Sequence, residues 1–158
     1  MKLTICHSQN KKGRFIKQLS GDITKKGFST SVEEETLKNT DFRRVLYTGK
    51  YSQLVLMCLE PQEEIGMETH ETVDQFFRFE KGKGKVIIDE TEYKVKDGDA
   101  VIVPSGAKHN VINTSKKRKL KLYTIYSPPE HIDKTIRHTK AEAEAKPEEY
   151  DGKPTEEK

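Results

Sequence analysis

Two imidazoles, a carboxylate and a carboxamide recur in this chain at spacings that can aim them into one interior. Glu68 and His70 are two residues apart in a stretch that reads as a strand, so both side chains point to one face. Gln75 opens the next predicted strand and shares its parity with Phe77 and Phe79, which marks that face as the apolar inside. His109 follows a turn built on Pro104 and Gly106 and begins another predicted strand. Gathered together, two histidines and one carboxylate suit Fe(II), Zn(II), Mn(II) or Ni(II), with an amide oxygen as a weak fourth ligand. Without a metal, the same residues make a polar pocket in which His70 and Glu68 simply satisfy each other.

The elements that would position them are punctuated by turn residues. Gly98, Pro104, Gly106, His109 and Asn113 stand in the register G-x5-P-x-G-x2-H-x3-N. Asp97-Gly98 is a tight-turn dipeptide, Ala100 to Val103 is a short apolar strand, and Pro104 stops its ladder. Gly106 frees the turn that delivers His109. Upstream, Gln62, Glu68, His70, Gln75 and Gly82 occupy a second register ending in another glycine turn.

These two registers resemble the paired signatures of the cupin superfamily. The downstream motif fits at every fixed position. In the upstream motif, G-x5-H-x-H-x3,4-E-x6-G, His70 and Gly82 fit, while Gln62, Glu68 and Gln75 replace Gly, His and Glu. The resemblance implies an all-β fold, the cupin double-stranded β-helix or jelly-roll barrel, with short flanking helices. It also implies that Glu68, His70, Gln75 and His109 are the metal positions. Phosphomannose isomerases, themselves cupins, use a set of the same composition with Gln and Glu exchanged. Asp74 fits the shorter allowed spacing, but its parity opposes that of Phe77, so it ranks behind Gln75. Asn113 is expected to make a structural hydrogen bond.

Several functions follow from this resemblance. The first is a metal-dependent enzyme on a small polar molecule, isomerase-like on a sugar or sugar phosphate, with Glu68 as the proton-moving catalytic group. A second is an Fe(II) dioxygenase. A third is a non-catalytic cupin that binds a sugar or similar small molecule. Residues in phase with the site nominate Gln53, Met57, Phe79 and Tyr123 as pocket lining, with Phe77 and Val111 as plain core and Tyr47 and Tyr126 ranked behind. Arg78 has the opposite parity, which leaves no evident cation for a phosphate group.

Turn signals at regular spacing divide the chain further. Residues 1–27 form a basic arm, 28–138 the barrel domain, and 139–158 a short helix and a charged, disordered tail. Ser31 to Glu34 and Thr139 to Glu142 read as capping boxes. Strands are expected at 41–47, 51–59, 65–70, 75–80, 85–88, 92–96, 100–103, 109–113 and 120–127. His131 and His138, beyond Pro128-Pro129, are expected on the surface.

Composition sets the outer bounds. With 158 residues, 35% charged and 32% hydrophobic, one compact core is expected. Net charge is +3, distributed as +6 through Gly27 and −3 from Lys140 onward. The basic arm has one aromatic and no recognisable motif, which argues against a nucleic-acid role and leaves a small molecule as the expected partner. Cys6 and Cys58 form no disulfide framework. No apolar run reaches signal-peptide or membrane-spanning length, so a cytoplasmic location is the default. Pairing into a homodimer is implied by the resemblance, and Tyr51, Phe42 and the Leu54/Leu56 face are the candidates for its interface.

Overall fold

Alternation of apolar and polar residues sorts the strands into two facing antiparallel sheets. The structure is a computed structural model and describes residues 26–156; the basic-arm expectation falls, apart from its last two residues, outside them. In chain order the elements are α1 (Val32–Lys38), β1 (Arg43–Thr48), β2 (Gln53–Leu59), β3 (Glu68–Thr69), β4 (Asp74–Lys81), β5 (Lys83–Ile88), β6 (Thr91–Lys96), β7 (Ala100–Val103), β8 (Lys108–Asn113), β9 (Leu120–Ser127), β10 (Ile136–Arg137) and α2 (Lys140–Ala145). One sheet runs β10-β1-β2-β9-β4-β7 and the other β3-β8-β5-β6. This is the all-β jelly-roll arrangement with short helices that the motifs imply.

The core lies between the sheets. Val55, Met57 and Leu59 of β2, Phe77 and Phe79 of β4, and Leu120 and Leu122 of β9 meet Val86, Val95 and Val111 of the smaller sheet. Burying each such side chain stabilises the fold by about 1.5–3 kcal/mol. β2 is buried on both faces, because α1 packs on the outside of β2, β4 and β9 and covers Leu56 and Cys58. Phe42 is likewise buried. Phe42 and Leu56, expected to offer a pairing face between protomers, are therefore interior to the protomer, while Tyr51 is exposed.

Two glycines set the geometry of the container. Gly82, at φ +102°, turns β4 into β5 where a Cβ would stand 2.7 Å from the Lys119 carbonyl oxygen. Gly106, at φ +80°, donates its backbone N–H to the His70 carbonyl at 2.8 Å, so the downstream motif grips the upstream one. Asn113 acts as expected: its Nδ2 donates to the carbonyls of Leu59, Glu60 and Arg118.

Some expectations need correction. The strand expected at 65–70 is only Glu68–Thr69, because Gly66 adopts φ +111° and His70 leaves the ladder. The Ser31 side chain makes no capping hydrogen bond, whereas Thr139 accepts from the Glu142 N–H at 3.2 Å. Residues 148–156 are tied to the barrel through backbone and side-chain partners, contrary to an expectation from low apolar content. Thr155 exchanges hydrogen bonds with the backbone of Thr48, its hydroxyl also donates to Asp133, and Glu148 pairs with Arg137.

Candidate metal centre

The four site residues arrive from both sheets. Glu68 on β3 is in register with His109 on β8, which places them side by side on the smaller sheet's inner face. Gln75 on β4 faces them from the larger sheet and is in register with Tyr126 on β9. His70 follows β3 directly, held by Gly106. Gln75 and His109 are each 1% exposed.

Their polar atoms converge. Glu68 Oε1 lies 3.4 Å from His70 Nε2 and 3.4 Å from His109 Nε2. Ligand atoms of Glu68, His70 and His109 all fall within 4.8 Å of one another. Gln75 Oε1 is 2.9 Å from His109 Nε2, and its Nε2 donates to Thr124 Oγ1 at 3.1 Å.

The tautomers follow from what surrounds the rings. His109 Nδ1 is 3.0 Å from the Ala107 carbonyl, which can only accept, so Nδ1 carries the proton. His70 Nδ1 is 3.2 Å from Glu130 Oε1 and donates to that carboxylate. In the neutral rings both Nε2 atoms then offer lone pairs towards Glu68 Oε1, which is itself an acceptor. Glu68 Oε1 and His70 Nε2 are buried without a hydrogen-bond partner among the described residues. Acceptors facing acceptors require a cation between them, a proton or a metal ion. The donor set therefore fits a divalent transition metal, and each histidine has the outer partner that metal-ligating imidazoles need.

Electrostatics agree with that balance. Burial opposes ionisation of Glu68, but the adjoining His109 and His70 rings prevail and hold its carboxyl down to about 2. Burial likewise opposes charge on His70, yet Glu130 and Glu68 raise it to about 9. Among the metal-free forms, the carboxylate and imidazolium are favoured, which is the positive charge a metal would replace.

Other candidate residues fall differently. Asp74 points outward and accepts from the Ser105 N–H at 2.9 Å, fixing the Pro104–Gly106 turn. Met57 and Phe79 are fully buried in the core. Gln53 is buried, and its amide takes hydrogen bonds from the Glu130 and His131 N–H groups and donates to the His131 carbonyl. It clamps the segment after β9. Tyr123 does not line the interior. Leu122, Thr124 and Tyr126 hold the inner face of β9, so Tyr123 turns outward and packs on Phe76 at 6.2 Å.

The segment after β9 departs most from the sequence expectations. His131, expected on the surface, is 5% exposed and packs edge-on against Tyr126 at 5.0 Å. Burial, then the neighbouring Arg43, pushes it down to about 3. Tyr126 stands 5.7 Å from the His70 ring, its phenol raised by burial. The available signal was Gln53, a polar tip on an inward strand position that demanded a buried partner. His138 is exposed as expected, and its Nδ1 lies 2.7 Å from Asp41 Oδ1.

Comparison with known proteins agrees with the geometry. The cupin domain model matches residues 55–126. The uncharacterized protein YrkC of Bacillus subtilis (strain 168) is 43% identical over 130 residues, 78% of this chain and 69% of YrkC. The uncharacterized protein L612 of Acanthamoeba polyphaga mimivirus is 43% identical over 107 residues, 66% of this chain and 67% of L612. The crystal structure of BH2720 from Bacillus halodurans is 41% identical, covers 79% of this chain and 98% of its own, and superposes with a TM-score of 0.75. With both motifs in register, two sheets closed around them, and relatives of this similarity, the chain belongs to the cupin family.

Proposed function

We propose that this protein is a metal-dependent cupin acting on a small polar molecule, with isomerase-like chemistry on a sugar or sugar phosphate. The observation that carries the reading is the convergence of Glu68 Oε1, His70 Nε2 and His109 Nε2, with Glu68 Oε1 and His70 Nε2 left buried and unpartnered among the described residues. Bound Zn(II), Mn(II), Fe(II) or Ni(II) would polarise a carbonyl or hydroxyl oxygen as a Lewis acid. Glu68, His70 and His109 would hold it, with Gln75 as fourth ligand.

The chain's own residues supply the rest. Ala107 and Glu130 fix the two imidazoles with their Nε2 atoms inward. Glu68 keeps 27% of its side chain exposed, enough to meet a substrate. As a carboxylate it is in the form that accepts a proton from a carbon beside a polarised carbonyl. Returning that proton to the adjacent carbon, while the hydroxyl proton passes to the former carbonyl oxygen, completes an isomerisation.

The same two histidines and one carboxylate favour a second reading, an Fe(II) dioxygenase with open positions for oxygen and substrate. Metal analysis of protein purified without chelator tests the common ground. Near-stoichiometric metal, lost in both His70→Ala and His109→Ala, supports an enzyme. Metal-dependent exchange of a sugar C–H with D2O then supports the isomerase, and oxygen uptake with Fe(II) the dioxygenase. Metal-free protein holding an ordered organic molecule identifies a binding cupin instead.

A further inference from the structure

Beside the metal set lie two nitrogen-bearing side chains that the proposed chemistry does not use. Arg43 opens β1 in register with Met57 of β2, whose side chain is fully buried in the core, so Arg43 shares the inner face. Its Nε is buried without a partner among the described residues. Neighbouring arginines are neutralised: Arg44 by Asp41, Arg78 by Glu80 and Arg137 by Glu148. Arg43 has no such carboxylate among the described residues.

His131 is the second group. Gln53 locks its backbone, Tyr126 packs on its ring, and both ring nitrogens are buried with no partner among the described residues. β1 runs beside the segment that carries His131, Arg43 pairing in register with Arg137 and the Val45 N–H donating to the Thr135 carbonyl, and the Arg43 charge acts on both His131 and the Tyr126 phenol. The Arg43 guanidinium, which lies 5.8 Å from the Phe42 ring centroid, keeps an Nε–H without an acceptor among the described residues, and the His131 imidazole keeps its N–H likewise.

Charge points the same way. Two positive charges from a bound metal would be matched by Glu68 and Glu130, which leaves Arg43 without a counter-charge. We propose that Arg43 and His131 form an oxyanion subsite, holding the carboxylate or phosphate group of the small molecule whose other end reaches the Glu68–His70–His109 centre. This rests on reading that centre as a small-molecule site, and it supplies the cation that the sequence pattern did not reveal. Bidentate geometry makes arginine suited to either group.

The test follows the His131 ring nitrogens by NMR in the zinc-loaded full chain, titrated separately with inorganic phosphate and with acetate. One probe should shift them saturably, and that probe identifies the group. Arg43→Met should weaken that binding at least 10-fold while zinc affinity stays unchanged. Its melting temperature should equal or exceed that of the wild type, because the substitution removes a charge with no partner. No saturable shift with either probe, or equal affinity in Arg43→Met, overturns the subsite. A lower melting temperature with unchanged anion affinity would make Arg43 structural. Failure of the wild type to hold any metal would sink the metal reading, whereas Arg43-dependent anion binding in that same protein would leave the subsite standing.

Discussion

His70 Nδ1 lies 3.2 Å from Glu130 Oε1, so a residue beyond the last barrel strand orients an imidazole of the central cluster. Glu130 is delivered by the segment that Gln53 clamps. Outer partners of this kind fix the ring and raise its basicity. Replacing Glu130 with alanine should weaken zinc binding by about 10–100-fold. Glu130→Gln, which can still accept from Nδ1, should recover part of that loss. The measurement is competition with a chromophoric chelator. Equal affinities across the three proteins would remove Glu130 from the site.

Protons and metal should compete for His70. In the metal-free protein its pKa is raised from 6.5 to about 9, so it remains protonated at neutral pH. Its stabilising contribution is fully present below pH 6.5 and is lost as pH rises through 9, because the folded state then holds the extra proton. Zinc binding at pH 7.5 should therefore release close to one proton. Calorimetry in buffers of different ionisation enthalpy reads that number directly. Metal-free protein should also lose stability between pH 6.5 and 9 more steeply than zinc-loaded protein.

Acid should act through His131. Its folded pKa is held down to about 3 against an ordinary 6.5, so the unfolded chain binds the proton first. The stability it preserves is complete above pH 6.5 and declines as pH falls towards 3. Between pH 6.5 and 4.5, before Glu68 contributes through its own depressed pKa, the slope should approach about 1.4 kcal/mol per pH unit. Urea unfolding of wild type and His131→Gln across that window measures it. Parallel pH profiles would mean that His131 is not buried as a neutral ring.

What the sequence revealed divides by the range of the interaction. Gly98, Pro104, Gly106 and His109 announce their roles because turn geometry and strand parity are local. The inward placement of Gln75 followed from its phase with Phe77. Tyr123 was misplaced because β9 carries apolar residues on both faces, Ile125 outside and Leu122 inside, so alternation gives two equal phases. Glu130 and His131 were illegible for a different reason. Their burial depends on Gln53, 78 positions earlier than His131, and no local pattern encodes a clamp across that separation. Arg43 opens a strand whose inner face only the pairing with β2 decides.

Asn113 offers a test of the container that leaves the chemistry alone. Its Nδ2 donates to three backbone carbonyls, and its Oδ1 accepts from the Ser115 N–H at 3.0 Å. It sits four residues along β8 from His109, about 13 Å at strand spacing. Asn113→Ala would strand the buried Leu59 carbonyl and the partly buried carbonyls of Glu60 and Arg118, and should cost about 2–4 kcal/mol in urea unfolding. Zinc affinity of the folded fraction should stay within about threefold of wild type, because no ligand moves and separated sites act independently. A large loss of zinc affinity with unchanged stability would instead place Asn113 in the centre itself. That would contradict the division between the residues that close the barrel and those that face into it.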